Sequence, residues 1–195
     1  REFARATGRL AKTDKVDTRI LAHMGRALEL KPDVPLSPAR KRLAELVARR
    51  DDLVRMTTAE SQRLAMARDA YVRQDIACVL ILLKTRKAAL ETQIDAAIHE
   101  VSELAGQQAC LRSAPGIGPA TAAILLARLP ELGHVDRRAI ASLAGLAPHA
   151  CDSGHRRGKR HVWGGRSDVR RALYLAAFVA SRFNPDLKAM RQKLQ

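Results

Sequence analysis

A serine that attacks a phosphodiester needs cations to stabilise charge building on the phosphoryl oxygens. It also needs a base to take its proton and a backbone that leaves the hydroxyl accessible. Residues 151–168, CDSGHRRGKRHVWGGRSD, hold the residue types for all three. Ser153 precedes Gly154, then come Arg156, Arg157, Lys159 and Arg160, and Arg166 follows Gly164-Gly165. His155 and His161 are candidates for proton transfer, and the spacing singles out neither. The same residues would also serve as a solvated loop that contacts DNA without chemistry. Residue types alone leave both readings open.

A second stretch suits a phosphate. SAPGIGPATAAILLARL (113–129) has a Gly-Ile-Gly turn, a proline and then an apolar run. Pro119 fits the first turn of a helix, where its missing N–H costs little. Gly116 and Gly118 let the backbone turn tightly and approach a ligand, and the free N–H groups of the next helix suit phosphate oxygens. This resembles the helix-hairpin-helix module, which grips the DNA backbone without reading sequence. A tight turn between helices with no ligand is the plainer alternative. DRRAIASLAGLAP (136–148) follows as a short helix ended by Gly145 and Pro148. Its Ile140, Leu143 and Leu146 are expected to pack on the 119–129 helix.

The composition favours a polyanion as partner. Lys plus Arg number 35 against 20 Asp plus Glu, a net charge of +15, and the pI is near 10.8. A domain this basic usually meets nucleic acid. Hydrophobic residues make up 47% and aromatics only 3%, a mixture that favours helices packed on helices. Cys78, Cys110 and Cys151 are too few and too scattered for a disulfide framework or a zinc site. No apolar run approaches the roughly 20 residues needed to cross a bilayer. The expected location is the cytoplasm, in association with the nucleoid.

The elements that position these motifs follow from spacing. Val16, Ile20, Leu21 and Met24 predict a helix from about Lys15 to Leu28. KPDVPLSP (31–38) has three prolines and reads as a linker. From Ala39 to Ala105 there is no proline or glycine. There, Ile76, Leu80, Leu83, Leu90, Ile94, Ala97, Val101 and Leu104 form a heptad seam of about four repeats. Leu43, Val47, Val54 and Leu64 continue it more weakly upstream. Either two helices fold back near residues 67–72 as an antiparallel hairpin, or one helix pairs with another chain. Residues 151–195 carry eleven Lys and Arg against three Asp. A last helix is expected from an N-cap at Ser167 to Phe183, stopped by Asn184-Pro185. Its apolar face is Val169, Leu173, Ala176, Ala177 and Ala180, with Arg166, Arg170 and Arg171 near its first turns.

The order PGIGPATAA, LPEL, AIASLAGLAPHACDSGHRRGKRHVWGGRSDVRRALYLAAFVASRFNP resembles the C-terminal domain of IS-one-ten-type insertion-sequence transposases. These are the DEDD transposases, related to the Piv DNA invertases. The likeness covers residues 113–188 nearly without gaps. ARATGRLAKTDKVDTRILA (4–22) is similar to the end of that family's N-terminal RuvC-like nuclease domain, whose last two acids lie in a KTDxxDA segment. Here they would be Asp14 and Asp17, with Thr18 replacing the usual alanine. Carboxylates three apart lie on one helical face and within reach of one divalent ion. Without the resemblance, Asp14 as a helix N-cap is the preferred alternative.

The resemblance implies a mainly α chain. Residues 1–30 would be the end of a truncated RuvC-like α/β domain, 31–38 a linker, and 39–105 a coiled-coil arm that supports homo-oligomers. Residues 106–195 would be a small helical serine transposase domain with the helix-hairpin-helix-like segment 113–129 and the basic serine loop 151–166. It implies a composite site in which Mg²⁺ on the acids polarises a DNA phosphodiester and Ser153 attacks it to form a phosphoserine link. It also implies a structured bridge RNA as partner. The first aspartate and the glutamate of DEDD are expected upstream of Arg1, so the chain reads as the middle and end of a longer transposase, inactive alone. The reading from a different class is a non-catalytic helix-hairpin-helix DNA-binding module on a dimerising coiled coil.

Overall fold

The computed structural model describes residues 2–8, 13–28, 35–151 and 158–194. It is mainly helical, and the chain divides into two compact units, 1–35 and 36–195.

In the first unit α1 (Glu2–Ala6) lies against α2 (Asp14–Ala27), with Phe3 meeting His23 edge to face at 5.3 Å. Thr13, not Asp14, is the N-cap of α2: its hydroxyl accepts from the Val16 N–H at 3.3 Å. Asp14 and Asp17 are therefore both inside the first turn, where negative charge suits the helix dipole. Leu21, expected on the apolar face, is exposed.

The second unit begins with Ser37, which caps α3 (Pro38–Met66) by accepting from Arg40 N–H. Pro38, read as the end of the linker, is the first residue of that helix. α4 (Ala70–His99) runs back along α3, so the fold-back alternative is the one observed. The turn needs neither proline nor glycine. Asp69 caps α4 by accepting from Val72 N–H, and the Arg73 guanidinium donates to the Leu64 and Ala67 carbonyls that end α3. Leu43, Val47 and Leu53 from α3 and Ile76, Leu80, Leu83, Ile94, Ala97 and Ile98 from α4 are buried. Val54, expected in the seam, is exposed, and Leu53 holds the inward position.

The seam does not continue as one helix to Leu104. The chain breaks at Val101, whose extended backbone starts α5 (Ser102–Arg112). A β-branched residue gives up helical geometry at modest cost, and Val101 packs against the core on leaving it. Leu104 is buried instead between α5 and its neighbours. α6 (Pro119–Arg128) then packs on α3 and α5. The base of the arm and the C-terminal helices thus share one core of Leu43, Val47, Ile94, Ile98, Leu104, Ala123, Leu126 and Ala127. Arg40 crosses this seam, donating to the Leu126 carbonyl and to Glu103 and Gln107.

α7 (Arg137–Leu143) is capped by Asp136, which accepts from Arg138 and Ala139 N–H. Ile140 and Leu143 pack on Leu125, Leu129 and Val169, whereas Leu146 is exposed, contrary to expectation. A two-residue ribbon, β1 (Pro148–His149) with β2 (His161–Val162), follows. α8 (Ser167–Phe183) packs on α6, and α9 (Pro185–Leu194) turns back on α8. Ser167 is the first helical residue and Arg166 occupies the N-cap position. Ala172 joins Val169, Ala176 and Ala180 on the buried face; Ala177 is exposed. Asn184-Pro185 ends α8 and also starts α9, the Asn184 side chain accepting from Asp186 and Leu187 N–H.

Candidate nucleic-acid interface

β1 and β2 form an antiparallel ribbon in which Pro148 pairs with Val162 and His149 with His161. Ser153, Arg156 and Arg157 (with His155) lie outside the described residues. Both ends of their segment are defined. Gly158 lies so close to Cys151 that an added Cβ would stand 2.1 Å from the Cys151 carbonyl oxygen. Only glycine permits so close an approach of residue 158 to Cys151.

The foot of the ribbon is fixed more firmly. α7 ends with Leu146 N–H donating to the Ala141 carbonyl and Gly145 N–H to Ser142, a left-handed cap at Gly145 with φ of 68°. Gly165, also left-handed, sits against this cap: a Cβ on Gly165 would lie 2.3 Å from Gly145 N. Arg170 donates to the carbonyls of Gly145 and Gly164 at 3.2 and 3.0 Å, and Arg166 N–H donates to Leu143 at 2.8 Å. The Arg166 guanidinium meets Glu131 through two bonds of 2.6 and 2.7 Å. That bond holds the Glu131 carboxyl below its ordinary value, with burial opposing it.

Arg166 and Arg170, read as phosphate contacts, are therefore also the bolts that hold the ribbon to α7 and the 129–134 turn. Lys159, Arg160 and Arg171 are exposed and have no ion pair among the described residues. More positive charge lines an open cavity of about 340 Å³ between α8 and α9, made by Ser181, Arg182, Lys188, Arg191 and Gln192.

The glycine turn before α6 has a structural duty. Gly116 has φ of 90°, and a Cβ there would lie 2.5 Å from the Ala176 carbonyl oxygen and 2.7 Å from the Ala180 Cβ. It is a glycine because α8 passes over it. Gly118 has open space around it and serves as the α6 N-cap with no side-chain cap bond, and Pro119 follows at the first helical position.

Asp14 and Asp17 present two hard oxygen donors from one turn, in keeping with part of a Mg²⁺ ligand set. Among the described residues no group of three or more His, Cys, Asp or Glu could hold a metal.

Two transposase family models match this chain. Residues 108–192 match the one described as "Transposase IS116/IS110/IS902 family", and residues 1–72 match a second described as "Transposase". The chain is also 34% identical over 119 residues to a Streptomyces coelicolor protein described as an uncharacterized 43.6 kDa protein of insertion element IS110. That alignment takes in 56% of this chain and 27% of the relative, so the chain spans about a quarter of that protein's length. The transposase-like segment 108–192 begins inside α5 and takes in the glycine turn, the ribbon, its bolts and the α8–α9 cavity. No described helix is long and apolar enough to cross a membrane.

Sequence reasoning missed Glu131, Gly145 and Gly165 as parts of this interface. Glu131 lies 35 positions from its partner, and no local pattern announces such a pair. The Gly145 cap was legible as a helix end, but its contact with Gly165 is a tertiary fact.

Proposed function

We propose that the protein is a DNA transposase of the IS110 type, acting on nucleic acid through the basic surface around the β1–β2 ribbon. The observation that carries this is the order of the two transposase matches, one at each end of the same chain. The charge supports it: a net +15, with exposed Lys159, Arg160 and Arg171 beside the ribbon.

Ser153 is the nucleophile of this reading. Its hydroxyl oxygen attacks the DNA phosphorus, the proton passes to a base, and the 3′ or 5′ oxygen of the strand leaves as the phosphoserine bond forms. Arg156, Arg157, Lys159 and Arg160 offset charge on the phosphoryl oxygens. Asp14 and Asp17 are two of the Mg²⁺ ligands, and the ion, when bound, polarises the phosphodiester. Gly118 and the open first turn of α6 offer N–H groups to a backbone phosphate. Bridge RNA and self-association through the α3–α4 arm complete the reading and rest on the family resemblance alone.

The 195-residue chain is expected to bind nucleic acid mainly through its cations. Affinity for a labelled duplex should fall steeply between 50 and 200 mM salt, by about a hundredfold or more if several phosphates are neutralised. A flat salt response would end the electrostatic reading. In a form that performs strand transfer, Ser153→Ala should abolish the covalent protein–DNA adduct and leave binding within about twofold. An adduct that persists in Ser153→Ala would remove the serine from the mechanism.

A further inference from the structure

The one tryptophan of the chain, Trp163, is 67% exposed. It stands two residues after His161, and its ring lies 5.3 Å from that of His149 with a tilt of 58°. His149 pairs with His161 across the ribbon, so the two side chains leave the same face. Trp163, the residue after β2, reaches that face through its ring contact with His149. Three rings thus share one side of a ribbon, and Val162 takes the other.

This face is rigid. Directly after Trp163 the chain is held by the Gly145–Gly165 contact, by Arg170 across the Gly145 and Gly164 carbonyls, and by Arg166. A large apolar ring on a fixed backbone loses less freedom when a partner covers it than one on a loose loop would. Residues 158–165 hold Lys159 and Arg160 and no acid. A flat π surface flanked by cations suits an anionic partner that also has a flat π face.

We propose that the His149–Trp163 face stacks an unpaired base of a nucleic-acid strand, while Lys159 and Arg160 hold the adjoining phosphates. The proposal rests on the nucleic-acid reading above and adds the form the strand must take: at least one base out of its duplex. Base–aromatic stacking is sequence-tolerant and is worth about 1–3 kcal/mol per base, so the face would select single-stranded character over sequence.

The single tryptophan makes the test direct. The full chain is titrated with end-labelled oligothymidylate and oligouridylate, with a duplex of matched length, and with a strand of abasic sites. Label anisotropy reads binding, and tryptophan emission reads the ring. The thymidylate or uridylate strand should quench emission strongly, the tighter one naming DNA or RNA as the source. The duplex and the abasic strand should bind with little quenching. Trp163→Ala should weaken single-strand binding about five- to hundredfold, and Trp163→Phe should restore most of it.

If no strand changes anisotropy, the nucleic-acid reading itself fails. If strands bind while emission stays unchanged, or abasic strands quench equally, stacking is overturned and the wider reading stands. Trp163→Ala with unchanged single-strand affinity overturns stacking too, provided its far-ultraviolet circular dichroism matches that of the parent chain. Emission that shifts on adding anionic lipid vesicles but not on adding strands would assign the face to a membrane surface and overturn the proposal.

Discussion

Arg166 joins three pieces of chain, and Glu131 is what keeps its side chain in place. Glu131→Gln removes the charge pair but keeps the shape, and should lower stability by about 1 kcal/mol at neutral pH, given that the pair is partly exposed. The sign with pH follows from the lowered carboxyl. The stabilisation is complete above the ordinary value of 4.5 and is lost as pH falls through the lower folded-state value. Urea unfolding from pH 7 to pH 3 should show the parent and Glu131→Gln curves converging at the acid end; a constant gap would mean that charge is not the cause. The glycines give a sharper contrast. Gly133 and Gly145 are both left-handed, but a Cβ meets nothing within 4 Å at Gly133 and meets Gly164 and Arg170 below 3 Å at Gly145. Gly133→Ala should cost about 1 kcal/mol, from backbone strain alone. Gly145→Ala should cost clearly more, and it should also raise the mobility of Trp163 in fluorescence anisotropy. Equal costs would show that the packed corner yields.

At the scale of elements, the arm is anchored at one end only. Leu43, Val47, Ile94 and Ile98 lie in the core shared with α6, while Met66 and Tyr71 at the turn are almost fully exposed. Leu43→Ala should cost about 2–5 kcal/mol, and Met66→Ala less than about 0.5 kcal/mol, both read by thermal or urea unfolding. The long run without proline or glycine made these helices legible, and the fold-back zone at 67–72 was visible as one of two options. The break at Val101 was not, because an extended valine stabilised by core packing has no sequence mark. The bounds of α8 were legible but its cap was not, for a similar reason: Ser167 looks like a cap, but the backbone of Arg166 holds that position and is committed to Leu143. The glycine turn was recognised, but the packing that requires Gly116 was hidden, since α8 passes over it from 60 residues further on.

For the whole molecule, charge and motif order pointed to nucleic acid before any fold was known, and geometry then sorted the cations. Arg166 and Arg170 hold the ribbon, whereas Lys159, Arg160 and Arg171 face water. A sequence cannot make that division, because arginine reads the same whether its fork meets a carbonyl or a phosphate. The α3–α4 turn has a practical consequence. At about 1.5 Å per residue, the stretch of α3 from Val47 to Met66 puts that turn roughly 30 Å from the shared core. It closes on its own caps, Asp69 and Arg73, and borrows nothing from the rest of the fold. An epitope or biotin-acceptor peptide spliced between Ala67 and Asp69 would give surface capture or single-molecule tethering a remote handle, with the ribbon left unobstructed.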